Sequence, residues 1–335
     1  MKKIQKMVGC LAVMLFSFSV NIVLAKDDLS LKLKFFADRM EKEYQFDAQD
    51  VLKTLQNLQV NNNIIVKMNR PAESLPWHRY RPIWMKEKRI NGGIEFYRKY
   101  QNELEKAEKQ YGVDKMIIVA IIGIESFYGR HQGSYPVLNA LYTLGFHYPK
   151  RAIFFKSELE QYFLLARQQN WKLSVVKGSY AGAMGMGQFI SSSYRSYGVD
   201  FNQDGKVDLF NSPVDMIGSV AHYFKKHGWK KDGFVAKKIT LNSQQAKPLV
   251  QKELQLSKRL ADLQRSGIVV KEINDTDSKV GIFEFKQKNT NEHWLAAHNF
   301  YVITRYNHNA MYALAVFQLS EAIKEKMIQQ KTLAQ

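Results

Sequence analysis

The stretch MIIVAIIGIESFYGR, residues 116–130, sets one carboxylate, Glu125, at the end of an almost wholly apolar run. Read as a helix over 114–126 with Asp114 as N-cap, it puts Ile118, Ile121, Ile122 and Glu125 on one face. Desolvation disfavours a charged carboxyl, so an acid among isoleucines keeps its proton near neutral pH and suits general acid catalysis. The competing reading is a surface glutamate beyond the buried stretch, paired with Arg130. A second stretch, GSYAGAMGMGQF at 178–189, spaces Gly178, Gly182, Gly185 and Gly187 among alanine and serine. So many small residues let backbone and ligand approach closely, though tight helix packing or a loop would use them too. It is not a phosphate loop, because no GK[ST] ending follows.

A third stretch, DFNQDGKVDLFNSPVD at 200–215, has the chemistry of a hard cation site. Asp200, Asn202, Asp204 and Gly205 stand at positions one, three, five and six of a calcium-loop pattern, and the Lys206 carbonyl would be the seventh-position ligand. Position twelve is Asn211 rather than glutamate, so an ordinary EF-hand is not satisfied, and a polar turn is the alternative. His222 and His227 lack the HExxH spacing of a zinc hydrolase, so no catalytic zinc is expected.

The elements that must position these residues read as mainly helical. Apolar spacing predicts helices from Leu29 to a break at Phe46-Asp47, then through Val51, Leu55 and Leu58, and again over 90–111. RPAESLPWHRYRPIW, rich in proline and aromatics, reads as an ordered irregular connection. After Trp229, FVAKKITL, SGIVVKEI and KVGIFEFK alternate as strands do, with a mainly helical segment before SGIVVKEI. EHWLAAHNFYVITRYN and AMYALAVFQLSEAIKEKM return to helix, so 231–290 is expected to be a small β-containing insertion in a helical protein.

A chain of 335 residues that is 45% hydrophobic can bury a large core, and its ordinary glycine and proline content excludes fibrous and disordered classes. Lys2, Lys3 and Lys6, an apolar run and the small-residue end at Ala25 read as an export signal over 1–25. Its loss would lower the net charge from +18 to +15 and remove Cys10, the one cysteine, so the exported chain is indifferent to an oxidising compartment. Cys10 lies before most of the hydrophobic run, the wrong end for lipidation, which is not expected. The positive balance suits an anionic wall polymer or lipid surface; export argues against nucleic acid.

IIGIESFYGRHQGSYPVLNALYTLGF, GSYAGAMGMGQF, SPVDMIGSVAHYFKKHGW and NFYVITRYN, in this order, closely resemble the lytic murein transglycosylase B family, glycoside hydrolase family 103. RPAESLPWHRYRPIW resembles its upstream segment, and the likeness covers most of residues 30 to 320. The resemblance implies cleavage of the β-1,4 bond between N-acetylmuramic acid and N-acetylglucosamine in peptidoglycan, leaving a 1,6-anhydromuramoyl end. It implies Glu125 as catalytic acid, Ser179 as the residue orienting the N-acetyl group, and Gln188 as a groove residue. Tyr80, Tyr223, Tyr301 and Tyr306 fall at aromatic positions by the cleft, to stack on sugars or to serve as core residues with satisfied hydroxyls. A later aspartate, Asp215, would close the calcium loop, with Asp208 as alternative because the loop is one residue longer here. Ser191 stands where the family usually has proline.

The expected architecture is a lysozyme-like helical core with a helical N-terminal domain and the small β-containing insertion. Its boundaries are a signal peptide (1–25), a helical N-terminal domain (26–100), a core (101–230) with the calcium-type loop 200–215, the insertion (231–290) and closing helices (291–335). The expected protein is exported and periplasmic, able to associate with the membrane, carries structural calcium and no organic cofactor, and meets peptidoglycan strands and wall-synthesis or remodelling proteins. A hydrolytic muramidase and a non-catalytic wall-binding protein are the rival functions.

Overall fold

A computed structural model of the chain describes residues 28–70 and 74–333; the expected export signal, with Cys10, lies outside the described residues. In chain order the helices are α1 (28–44), α2 (Ala48–Gln56), α3 (Asn62–Met68), α4 (Trp77–Trp84), α5 (Glu87–Lys99), α6 (Gln101–Tyr111), α7 (Lys115–Ser126) and α8 (Val137–His147). There follow α9 (Ala152–Gln168), α10 (Ser191–Tyr197), α11 (Pro213–Lys226), α12 (Ser243–Leu249), α13 (Leu260–Arg265), α14 (His298–Tyr306) and α15 (Ala310–Leu333).

Contacts divide the chain into one unit of residues 28–66 with 135–176 and another of 67–134 with 177–333. That division differs from the boundary expected at residue 100, because each unit is assembled from two separate stretches of chain. In the first unit, α8 and α9 pack as a hairpin against the N-terminal helices. Phe36 meets Phe146 edge-on at 5.9 Å and Phe163 at 6.2 Å, and Phe46 meets Phe163 at 5.8 Å. Asp47 caps α2 through its side chain, which accepts from the Asp50 amide, so the break at Phe46-Asp47 falls where the sequence puts it.

In the second unit α7 is the central helix, flanked by α5, α6, α11 and α15. Every residue from Met116 to Ile124 is buried, so it has no solvent face and shows almost no amphipathic period. Each fully buried isoleucine there contributes about 1.5–3 kcal/mol of apolar transfer. The predicted helix over 90–111 is two helices, α5 and α6, hinged at Tyr100 (φ −121°). Half of the proline-rich connection is helix: Pro76 opens α4, whose Trp77 and Tyr80 are buried.

The insertion holds a four-stranded antiparallel sheet in the order Ala236–Ile239, Asn291–Ala296, Lys279–Lys286, Lys258–Arg259. KVGIFEFK is a strand throughout, but SGIVVKEI is not, since Ile268 and Val270 reach the small core from irregular backbone. NEHWLA, expected as helix, is the central strand instead, pairing Leu295 with Ile282 on one side and Lys237 on the other. Its inward His293 and Leu295 alternate with half-exposed Glu292 and Trp294, a period of two that outweighs the helical reading. The helical segment before SGIVVKEI is interrupted, α12 and α13 being separated by irregular residues after Pro248.

Candidate active site

Asp114 caps α7, its side chain accepting from the Met116 amide at 2.7 Å, and the helix ends on Glu125 and Ser126. The next three residues, Phe127, Tyr128 and Gly129, all take left-handed backbone (φ 53°, 60° and 86°). For the two aromatic residues this costs about 1–2 kcal/mol each, and several contacts hold them there. The Gly129 amide donates to Ser126 Oγ at 2.9 Å, and the Tyr128 hydroxyl donates to the Arg89 carbonyl at 2.8 Å. Arg89 Nη1 donates back to the Gly123 carbonyl at 3.0 Å, and the guanidiniums of Arg89 and Arg130 lie about 5 Å from the Phe127 ring. Gly92, Gly93 and Gly123 make room for Tyr128: a Cβ on any of them would come within 3 Å of its ring or hydroxyl. The helix therefore stops abruptly, leaving Glu125 half-buried at its end.

Tyr312 of α15 donates its hydroxyl to Glu125 Oε1. Its ring lies parallel to Tyr306, 6.5 Å away, and Tyr306 meets Tyr223 at 4.9 Å and Phe189 at 5.8 Å. Burial, then the Glu125 charge, pushes the phenols of Tyr306 and Tyr312 well above the usual tyrosine range, so both stay protonated donors. The Tyr306 hydroxyl donates to the Gly187 carbonyl at 2.6 Å and that of Tyr223 to the Arg305 carbonyl at 2.5 Å. These two rings thus wall the site with their hydroxyls already satisfied. Tyr80, stacked on Trp77 at 6.2 Å, lies within electrostatic reach of Tyr312. Tyr301 stands apart on another face of α14, five residues before Tyr306, beneath the Arg305 guanidinium and lining a cavity of ≈700 Å³ with Glu272 and Asp275.

The glycine-rich stretch is a folded loop beside this helix end. Gly133 lies so close to it that a Cβ would sit 2.1 Å from the Gly178 carbonyl and 2.5 Å from the Ser179 nitrogen. Gly187 is as tight: a Cβ would meet the Tyr306 hydroxyl at 2.9 Å. Ser179 Oγ accepts from the amides of Ala181 (3.2 Å) and Ala183 (3.0 Å), leaving its hydroxyl proton to give. Gln188, itself left-handed (φ 51°), donates Nε2 to the Gln132 and Gly185 carbonyls at 3.1 and 2.9 Å, leaving Oε1 as an acceptor. The structure thus brings Glu125, Tyr306, Tyr223, Ser179 and Gln188 onto two adjoining loops and helix ends. Arg130, the alternative partner for Glu125, faces Glu95 at 3.9 Å.

Sequence reasoning missed Tyr312 and Gln132. Gln132 Nε2 donates to the Phe210 carbonyl at 2.9 Å, and its Oε1 is buried without a partner. The AMYALAVF pattern reads as plain core helix, and nothing local marks its tyrosine as the donor to a carboxylate 187 residues away.

The loop at 200–215 turns as a cation loop does. Asp200 accepts from the Asp204 and Gly205 amides at 3.1 and 2.8 Å, and Gly205 is left-handed at φ 89°. Asp215 is fully buried beneath it, with one carboxylate oxygen accepting from Phe201 at 2.9 Å and the other from Asp208 at 2.9 Å. Asp208 is occupied by the Phe210 and Asn211 amides, both at 2.9 Å. The oxygen donors and the glycine turn fit a hard cation, and a carboxylate has about four acceptor sites, so Asp215 keeps capacity. Among the described residues no group of three or more His, Cys, Asp or Glu is gathered for a metal.

Over residues 31–321 the chain matches the family described as Transglycosylase SLT domain. It is 36% identical over 304 residues to the membrane-bound lytic murein transglycosylase B of Escherichia coli K12, a match covering 88% of this chain and 83% of that protein. Among solved structures it resembles the soluble lytic transglycosylase SltB1 of Pseudomonas aeruginosa (40% identity, 88% of this chain, 99% of that one, TM-score 0.81). It also resembles the E. coli lytic transglycosylase Slt35 in complex with calcium (35%, 88% and 93%, TM-score 0.80). A third is SltB3 of P. aeruginosa in complex with NAG-NAM-pentapeptide (26%, 88% and 79%, TM-score 0.77).

Proposed function

This chain belongs to the transglycosylase SLT-domain family and is a peptidoglycan lytic transglycosylase, and we propose that Glu125 carries both of its proton transfers. The observation that supports this most is the half-buried carboxyl at the end of a wholly buried helix, held by the Tyr312 hydroxyl. Glu125 protonates the bridging oxygen as the bond from muramoyl C1 breaks. The sugar's own N-acetyl group then stabilises the cation, so a second carboxylate is not required. The C6 hydroxyl attacks C1 and returns its proton to Glu125, which regenerates the acid and consumes no water.

Ser179 donates its free hydroxyl proton to the N-acetyl oxygen, and Gln188 Oε1 accepts from a sugar hydroxyl or amide. Tyr80, Tyr223 and Tyr306 give the groove its aromatic wall, with Tyr301 farther along it. Water reaching C1 before the C6 hydroxyl would make the enzyme a hydrolytic muramidase, and a groove without turnover would make it a binding protein. Mass spectrometry of digested peptidoglycan separates the three: anhydro ends support this reading, ends one water heavier the second, and no released fragments the third.

The relative named membrane-bound and the wall substrate support an exported, periplasmic enzyme that works among wall-synthesis proteins. Among the described residues no helix is long and apolar enough to cross a membrane.

We infer that the 200–215 loop takes calcium through Asp200, Asn202, Asp204, the Lys206 carbonyl and Asp215, supported by the glycine turn and by the relative solved with calcium. Calcium would stiffen the base of α11 and take no part in proton transfer. At a hundred times its Kd it would stabilise the chain by about 2.7 kcal/mol. Melting with and without chelator checks this, and Asp200→Ala should abolish the difference.

A further inference from the structure

The first unit carries a feature that the catalytic reading does not use. Leu31 and Phe35 on α1 are 56% and 70% exposed, and Ile153 at the start of α9 is 87% exposed. Phe35 and Ile153 line one groove of ≈540 Å³, together with buried Phe36 and with Lys32, Arg39 and Lys156. Leu31 and Phe35 are four apart, and Ile153, Lys156 and Ser157 follow at spacings of three and four, so each helix presents a continuous stripe to the groove. Large apolar side chains gathered this way mark an interaction surface, whereas single ones scattered over a protein need no explanation.

The charges around the groove select its occupant. Its one acid, Glu160, is buried and held by Arg39 at 3.2 Å. The solvent-facing charges are therefore cationic, and exposed Lys150 and Arg151 adjoin the Ile153 end. An aromatic and aliphatic centre within a basic rim is the composition of a surface that lies in a lipid headgroup layer. A hydrated anionic polymer would meet the cations but has no use for Phe35 and Ile153. Three side chains supply about 200 Å² each, short of the roughly 800 Å² per partner of a stable dimer.

The geometry points to a docking site for an anionic phospholipid surface, with Phe35 and Ile153 entering the headgroup layer and Lys32, Arg39 and Lys156 facing lipid phosphates. This goes beyond the catalytic reading and does not depend on it. The test is co-sedimentation of the chain beginning at Lys26 with vesicles of phosphatidylethanolamine and phosphatidylglycerol, against phosphatidylcholine alone. The expected result is binding to the anionic vesicles only, weakened at least tenfold in Phe35→Ser/Ile153→Ser. That variant should keep its far-UV circular dichroism and its turnover of soluble glycan fragments. Equal vesicle binding by the variant would overturn the proposal, because net charge alone would then account for adhesion. So would a wild-type dimer made monomeric by the variant, which would assign the groove to a second copy. Loss of binding to isolated wall sacculi with vesicle binding intact would assign it to the polymer and overturn it equally.

Discussion

Tyr312 reaches Glu125 from a different helix, and its contact is a charge-assisted one whenever the carboxyl is ionised. A hydrogen bond of that kind is worth about 1.5–3 kcal/mol, roughly a 10- to 100-fold effect on rate. Tyr312→Phe keeps the ring against Tyr306 and removes only the donor, so kcat should fall by about that factor while KM stays nearly constant. Steady-state kinetics on purified glycan strands checks this, and an unchanged kcat would assign Tyr312 to packing alone. Gly123 makes a second residue-scale case. A methyl there would lie 2.6 Å from the Tyr128 hydroxyl, displacing the ring that ties the left-handed turn to Arg89. Gly123→Ala should destabilise the chain by about 1–3 kcal/mol, read as a lower urea midpoint. Glu125 was legible because a carboxylate at the end of an isoleucine run contradicts its surroundings. Tyr312 was not, because a tyrosine in a buried helix contradicts nothing.

Among the elements, α10 carries a local inconsistency. Ser191 opens it and is buried, and its hydroxyl has no partner. Proline is favoured at a first helical position, where the missing amide hydrogen is not needed. Ile190 before it is already extended (φ −68°, ψ 163°), the conformation a following proline demands. Ser191→Pro should therefore stabilise the protein by about 0.4–1 kcal/mol through the unfolded chain, and more from relieving the orphaned hydroxyl. A thermal melt reads the gain, and a lower melting temperature would contradict it. The same scale shows where pattern reading fails. Helix α7, the Asp47 cap and the KVGIFEFK strand follow from spacing and capping chemistry alone. NEHWLA forms a strand because partners on both sides claim its backbone, and α4 forms despite its prolines because Trp77 and Tyr80 have a core to enter.

For the whole molecule, burial lifts the phenols of Tyr128, Tyr162, Tyr194, Tyr223, Tyr306 and Tyr312 above the ordinary tyrosine range. The native state then binds protons that the unfolded chain releases above about pH 10, so this stability is intact below that pH and lost as pH rises past it. The urea midpoint should hold between about pH 8 and 9 and drop sharply by about pH 11; equal midpoints would show these phenols free to ionise when folded. The mainly helical character and the inserted sheet were legible from periodicity. The two-unit division was not, because residues 135–176 join 28–66 through side-chain packing, such as Phe36 on Phe146, that has no local signature. Turnover of purified peptidoglycan by Glu125→Gln, beside the wild type, tests the central claim most directly. The account predicts anhydro-ended fragments from the wild type and none from the variant, which should still bind the glycan. Fragment release by the variant at a rate within tenfold of the wild type would contradict it, and the proton transfers would belong to another residue.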